Sequence, residues 1–109
     1  MINSSKLNQL YSEMYEPKLL PQDLLENLNL DNYISVNFTK SNGNTKAITK
    51  CHLPNGRIAE YVYTFRDSKL IRLEEMTSAD HSIVLYDREI EIIKLKEELS
   101  LDTKFSLVS

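Results

Sequence analysis

The adjacent pair Cys51-His52 is where a nucleophile with its base, or two ligands of one metal, would first be sought in this chain. Neighbours on a strand point to opposite faces, so these two side chains cannot meet and each acts alone. His81 is the one other histidine, Cys51 is the one cysteine, and no Cys/His spacing of zinc-site type exists. Cys51 is therefore expected to be a small buried apolar side chain, with no metal and no cofactor in the protein. Two-carboxylate catalysis needs acids brought to defined separations, whereas Glu74-Glu75 and Glu89-x-Glu91 sit at ordinary solvated spacing. The two glycines follow Asn42 and Asn55 in hairpin-like contexts, so no phosphate-cradling loop is present. The expectation is a non-enzymatic chain with no catalytic residue.

Recognition chemistry has more support. Lys46, Ile48, Lys50 and His52 alternate with Ala47, Thr49 and Cys51, which puts cations and an apolar residue on one strand face. Val62, Arg66 and Arg72 join them from the neighbouring strands, together with Ile58 and Leu70. Residues 37–72 hold seven Lys/Arg against Glu60 and Asp67, a charge of +5, while the segments before and after hold -3 and -5 and the chain totals -3. Cations around an apolar stripe can dock an acidic protein surface or track a phosphate backbone. Tyr61, Tyr63 and Phe65, which base stacking would need, fall on the opposite face, so a protein partner is favoured and a nucleic-acid partner is the alternative. The competing explanation is internal: the acidic C-terminal helix covers this face and pairs with its cations.

The elements that position these residues follow from periodicity and turn chemistry. Leu7, Leu10, Tyr11 and Met14 recur at helical spacing after a capping Ser, which predicts a helix over Ser4 to Tyr15 that Pro17 stops. Pro21 suits the first turn of a second short helix carrying Leu24, Leu25 and Leu28, ended by Asp31-Asn32. From Tyr33 the period becomes two. Asn42-Gly43 is a strong type I′ hairpin signal and sets Phe38 opposite Ala47 and Val36 opposite Thr49. Pro54-Asn55-Gly56 sets Cys51 opposite Ala59 and Thr49 opposite Tyr61, and a three-residue turn at Asp67-Ser68-Lys69 would set Phe65 opposite Ile71 and Tyr63 opposite Leu73. The expected core face is Ile34, Val36, Phe38, Ala47, Cys51, Ala59, Tyr61, Tyr63, Phe65, Ile71 and Leu73.

Ile83 to Tyr86 fits either a fifth strand followed by a helix capped by Asp87, or the opening of one helix from near Ser78. Length and the Glu/Lys-rich run after Asp87 favour the single helix over 80–100, with 101–109 a loose tail. On that wheel Leu85, Ile92, Leu95 and Leu99 form a second apolar stripe, free for the first helix or for the same helix of a second copy. The fold class expected is α+β, a four-stranded antiparallel meander over about 33–76 with two short N-terminal helices and one long C-terminal helix.

At 109 residues without a Pro/Gly/Ser-rich break or internal repeat, the chain is expected to be one domain. A lone cysteine and a start without basic and apolar signal regions imply a cytoplasmic setting, in which the sequons at Asn3 and Asn37 are chance matches. The longest apolar run, Ile83 to Tyr86, is far short of the roughly 20 residues a membrane helix needs, so no membrane partner is expected. The Asn, Lys, Ile and Ser usage has the look of a small AT-biased bacterial or phage gene. The functional expectation is a protein-interaction module, a regulator or inhibitor of a larger protein, that forms a homodimer through the second helical stripe.

Overall fold

The computed structural model describes residues 4–108, with the side chains of 4–100. The chain divides into two compact units, Pro17–Asp87 and a helical unit drawn from both ends of the chain.

The first unit is a five-stranded antiparallel meander in which sequence neighbours are spatial neighbours: β1 Tyr33–Ser41, β2 Asn44–His52, β3 Ile58–Arg66, β4 Lys69–Met76 and β5 Ser82–Asp87. Asn42 and Gly43 take φ of +50° and +80°, as the type I′ turn requires. The register follows from that turn, with Val36 opposite Thr49 and Phe38 opposite Ala47. The next turn holds Gly56 at φ +83°, and Cys51 faces Ala59 while Thr49 faces Tyr61. Both pairings agree with the sequence.

The third turn differs. Asp67 and Ser68 both adopt left-handed φ, so the loop is two residues long and Arg66 pairs with Lys69. A bulge opposite Thr64 and Phe65 absorbs Ile71, restoring the expected pairing of Tyr63 with Leu73. Leu70 therefore shares the face of Phe65 and is buried, taking the core place expected of Ile71. A second bulge between Tyr33 and Ser35 has the same consequence at the start of β1: Tyr33 faces Cys51 and Ile34 is exposed. Phe38 has its expected partner but lies on the edge strand and stays 40% exposed.

The fifth strand corrects the expected count of four and the helix start near 80. Between β4 and β5 the chain reverses through Thr77 to His81, where the amides of Thr77 and Ser78 donate to the His81 carbonyl at 2.9 and 3.3 Å. The Thr77 hydroxyl donates to the same oxygen. Ser, Thr and Asp serve helix caps as readily as turns, so this stretch carries no Gly or Pro to tell the two apart.

A short helix α2, Pro21–Glu26, runs into a 3-10 turn at Asn27–Asn29. Leu24 from α2 packs with Ala47, Phe65 and Leu70, flanked by Leu19, Val36, Tyr63 and Tyr86, and this is the centre of the core. The segment leading into α2 is tied to the sheet: the Leu70 amide donates to the Pro17 carbonyl at 3.2 Å, and the Lys18 ammonium lies 4.5 Å from the Tyr86 ring centroid.

The second unit pairs α1, Ser4–Tyr15, with α3, Arg88–Val108. Helix α1 has the expected bounds, whereas α3 begins at Arg88 and continues through Val108, where a loose tail was expected from 101. Residue 109 of that tail lies outside the described residues. Arg88 is buried, and its guanidinium donates to the Glu13 carbonyl in the last turn of α1, satisfying an oxygen that the helix leaves open. Lys6 and Glu98 pair at 3.8 Å, and Leu95 is buried with Ile92 and Leu99 half-buried. The sequence left that stripe to the first helix or to a second copy, and α1 is the element that packs on α3. Leu85, assigned to the same stripe, stands in β5 and belongs to no helix.

Candidate functional site

The face of the sheet opposite Leu24 gathers all the residues that the sequence nominated for recognition except Leu70. Opposed residues in an antiparallel pair share a face, and alternation along each strand extends the assignment. Ile48 faces Val62, Lys50 faces Glu60, His52 faces Ile58, and Lys46 faces Thr64, which in turn faces Arg72. Arg66 lies on the same side, opposite Lys69. Leu70, expected there, is in the core on the other side because of the Ile71 bulge. The helix of this unit packs on the Phe65 side, so its opposite side carries strand residues alone.

Sequence reasoning placed the cations correctly and missed their partners. Lys50 pairs with Glu60 across the strands at 3.9 Å, and Arg72 pairs with Glu74 two residues on at 3.4 Å. Glu74 also accepts from the Ser82 hydroxyl at 3.1 Å, and the Arg66 guanidinium donates to the Asn44 side chain at 3.1 Å. The internal explanation of the charge asymmetry thus holds in part, with strand carboxylates in the place expected of the C-terminal helix. The signal was available once registers were fixed, since Glu60 follows from the Pro54-Asn55-Gly56 turn; Glu74 was read only as surface charge. Apolar residues complete the face. Ile48 and Val62 are half-buried at its centre, while Ile58 is 60% and Val84 42% exposed.

On the other face Tyr33, Cys51, Tyr61 and Tyr63 cluster beyond the end of the leucine core, and two of them, Tyr61 and Tyr63, have raised pKa values. Burial pushes the Tyr63 phenol up to about 12, helped by the neighbouring Tyr33 hydroxyl and its hydrogen bond. Tyr61 is raised by burial and by the Glu75 carboxylate. Tyr33 in turn accepts from the Asn27 amide at 3.3 Å. Raised phenols stay protonated at neutral pH, which is the reverse of the activation that a base or nucleophile needs.

Cys51 is buried and His52 exposed, on opposite faces as expected. A cleft of about 240 Å³ between the β2–β3 turn and the end of β4 is lined by Leu53, Arg57, Ile58, Glu75 and Met76, below the usual size of a small-molecule pocket. Among the described residues no three His, Cys, Asp or Glu side chains converge as a metal site would need, and no helix is long and apolar enough to cross a membrane. No protein-family model, curated protein or solved structure matches the chain.

Proposed function

We propose that this chain is a non-enzymatic protein-interaction module that binds another protein on the open face of its sheet. The observation that supports this most is the make-up of that face: Ile48 and Val62 at the centre, Ile58 and Val84 exposed beside them, and two of its cations, Lys50 and Arg72, paired with Glu60 and Glu74. An apolar centre with a polar, mutually paired rim is the anatomy of a protein interface. Phosphate tracking instead needs cations whose counterions are released on binding, and Lys50 and Arg72 face carboxylates of their own chain. In this reading the protein acts by occupying a surface of a larger protein, as a regulator or inhibitor does.

The test is capture of partners from a cell lysate by the wild-type chain and by variants matched in stability. Ile58→Asp and Val84→Asp are expected to lose the partner that wild type retains, and Tyr11→Asp in α1 is expected to keep it. Retention by both sheet variants would refute the assignment. A titration with nucleic acid at low salt separates the alternative: tight binding that collapses as salt rises would transfer the same face to a phosphate backbone.

A further inference from the structure

The two edges of the sheet differ. Strand β5 exposes Ile83, Val84 and Leu85 but is six residues long and bulged at Leu85, where Leu73 pairs with Tyr86 and Glu74 with Val84. A bulge of this kind spoils the template that a further strand would need. Strand β1 spans nine residues and is regular from Ser35 to Ser41, with no proline and one charged residue, Lys40. Ser41 and Asn44 flank a two-residue turn and so form a hydrogen-bonded pair. Alternating back along β1, Thr39, Asn37 and Ser35 turn their backbone groups toward β2, and Lys40, Phe38 and Val36 turn theirs outward.

We propose that β1 is a homodimerisation edge, pairing antiparallel with β1 of a second copy about a two-fold axis at Asn37. Independent features select this occupant and register. Asn37 is the midpoint of Tyr33–Ser41, so this register gives the greatest overlap. It sets Val36 opposite the partner's Phe38 and Phe38 opposite the partner's Val36, and in each pair the outward backbone groups meet as hydrogen-bonded partners. A two-fold normal to the sheet keeps each residue on its own face, so the apolar side chains of Val36 and Phe38 continue the core face across the junction. Ser35 meets the partner's Thr39 on the other face. Phe38, 40% exposed in the single chain, gains an aromatic to β-branched contact of the kind that stabilises cross-strand pairs. The register also keeps Lys40 away from the partner's Lys40, which a centre nearer the turn would oppose. This proposal is independent of the docking face, since the two surfaces share no residue.

Light scattering is expected to give twice the chain mass in concentrated solution. Asn37 occupies a non-hydrogen-bonded position on the axis, where Cα atoms stand about 4.5 Å apart, within the range a disulfide spans. Asn37→Cys in a Cys51→Ser background is expected to form a disulfide-linked dimer on mild oxidation. Ser35→Cys in that background is expected to stay reduced, its two copies being roughly 13 Å apart along the strands. Phe38→Pro removes an outward amide without touching the β1–β2 ladder and is expected to give a folded monomer. A monomeric wild type at every concentration, linkage through Ser35 in preference to Asn37, or a dimer that survives Phe38→Pro with native circular dichroism would each overturn the proposal. Should Phe38→Pro fail to fold, the two cysteine variants still decide it.

Discussion

The two faces of the meander come from the same strands and differ in what their side chains do. One side is held by Leu24, Ala47, Phe65 and Leu70, each at most 6% exposed, and extends into a cluster in which the pKa values of Tyr61 and Tyr63 are raised. The other is half-exposed and paired in its own plane, with ion pairs at 3.9 and 3.4 Å around Ile48 and Val62. Buried area stabilises a fold, whereas exposed ion pairs contribute little. The first face is therefore where the unit's stability resides, and the ion pairs of the second add little to it.

The strongest way to break this contrast is to empty the core. Phe65→Ala is expected to cost about 3–5 kcal/mol and Leu24→Ala about 2–5 kcal/mol, read from denaturant unfolding of the sheet. A cost near zero for both would mean that the helix is not what closes that face.

The tyrosine cluster offers a smaller, pH-dependent effect. The native state holds the Tyr63 proton up to about pH 12, while an unfolded chain releases it near 10. Between those values the native state binds more protons, so the contribution to stability is full below pH 10 and is lost as pH rises through about 12. Phenolate absorbance during alkaline titration should show a late component near pH 12, which Tyr63→Phe should remove, with Tyr61 also titrating above its ordinary value. Titration of all the tyrosines together near pH 10 would contradict the burial argument.

On the open face the expected effects on stability are slight. A double-mutant cycle on Lys50 and Glu60 should return a coupling of about 0.2–1 kcal/mol, since both side chains are well exposed. His52→Ala should fall within about 0.5 kcal/mol of wild type. A cost of several kcal/mol at either position would mean that this face is a second core.

What was legible in the sequence followed the turns. Asn42-Gly43 and Pro54-Asn55-Gly56 dictate local backbone geometry, and from them came the registers of three strands and the membership of the open face. The errors sit at bulges, where one extra residue reverses the side-chain alternation: Ile34 against Tyr33, and Ile71 against Leu70. No residue type announces such an insertion, because it is selected by what must be buried on each side of it. The fifth strand was lost for a related reason. An apolar run of four residues ahead of a Glu/Lys-rich helix fits a strand or a first helical turn, and pairing with β4 decides between them. The partner Glu60 became visible only once the register brought it beside Lys50 across the strands, whereas Glu74 lies two residues from Arg72 on the same strand.

The central claim is that a protein partner seats on the open face, and a photo-crosslinking residue placed at Ile58 in living cells tests it most directly. The account predicts a discrete adduct with another protein from Ile58, absent when the same residue is placed at the equally exposed Ile93 of α3. No adduct at Ile58, or an adduct to nucleic acid, would contradict it.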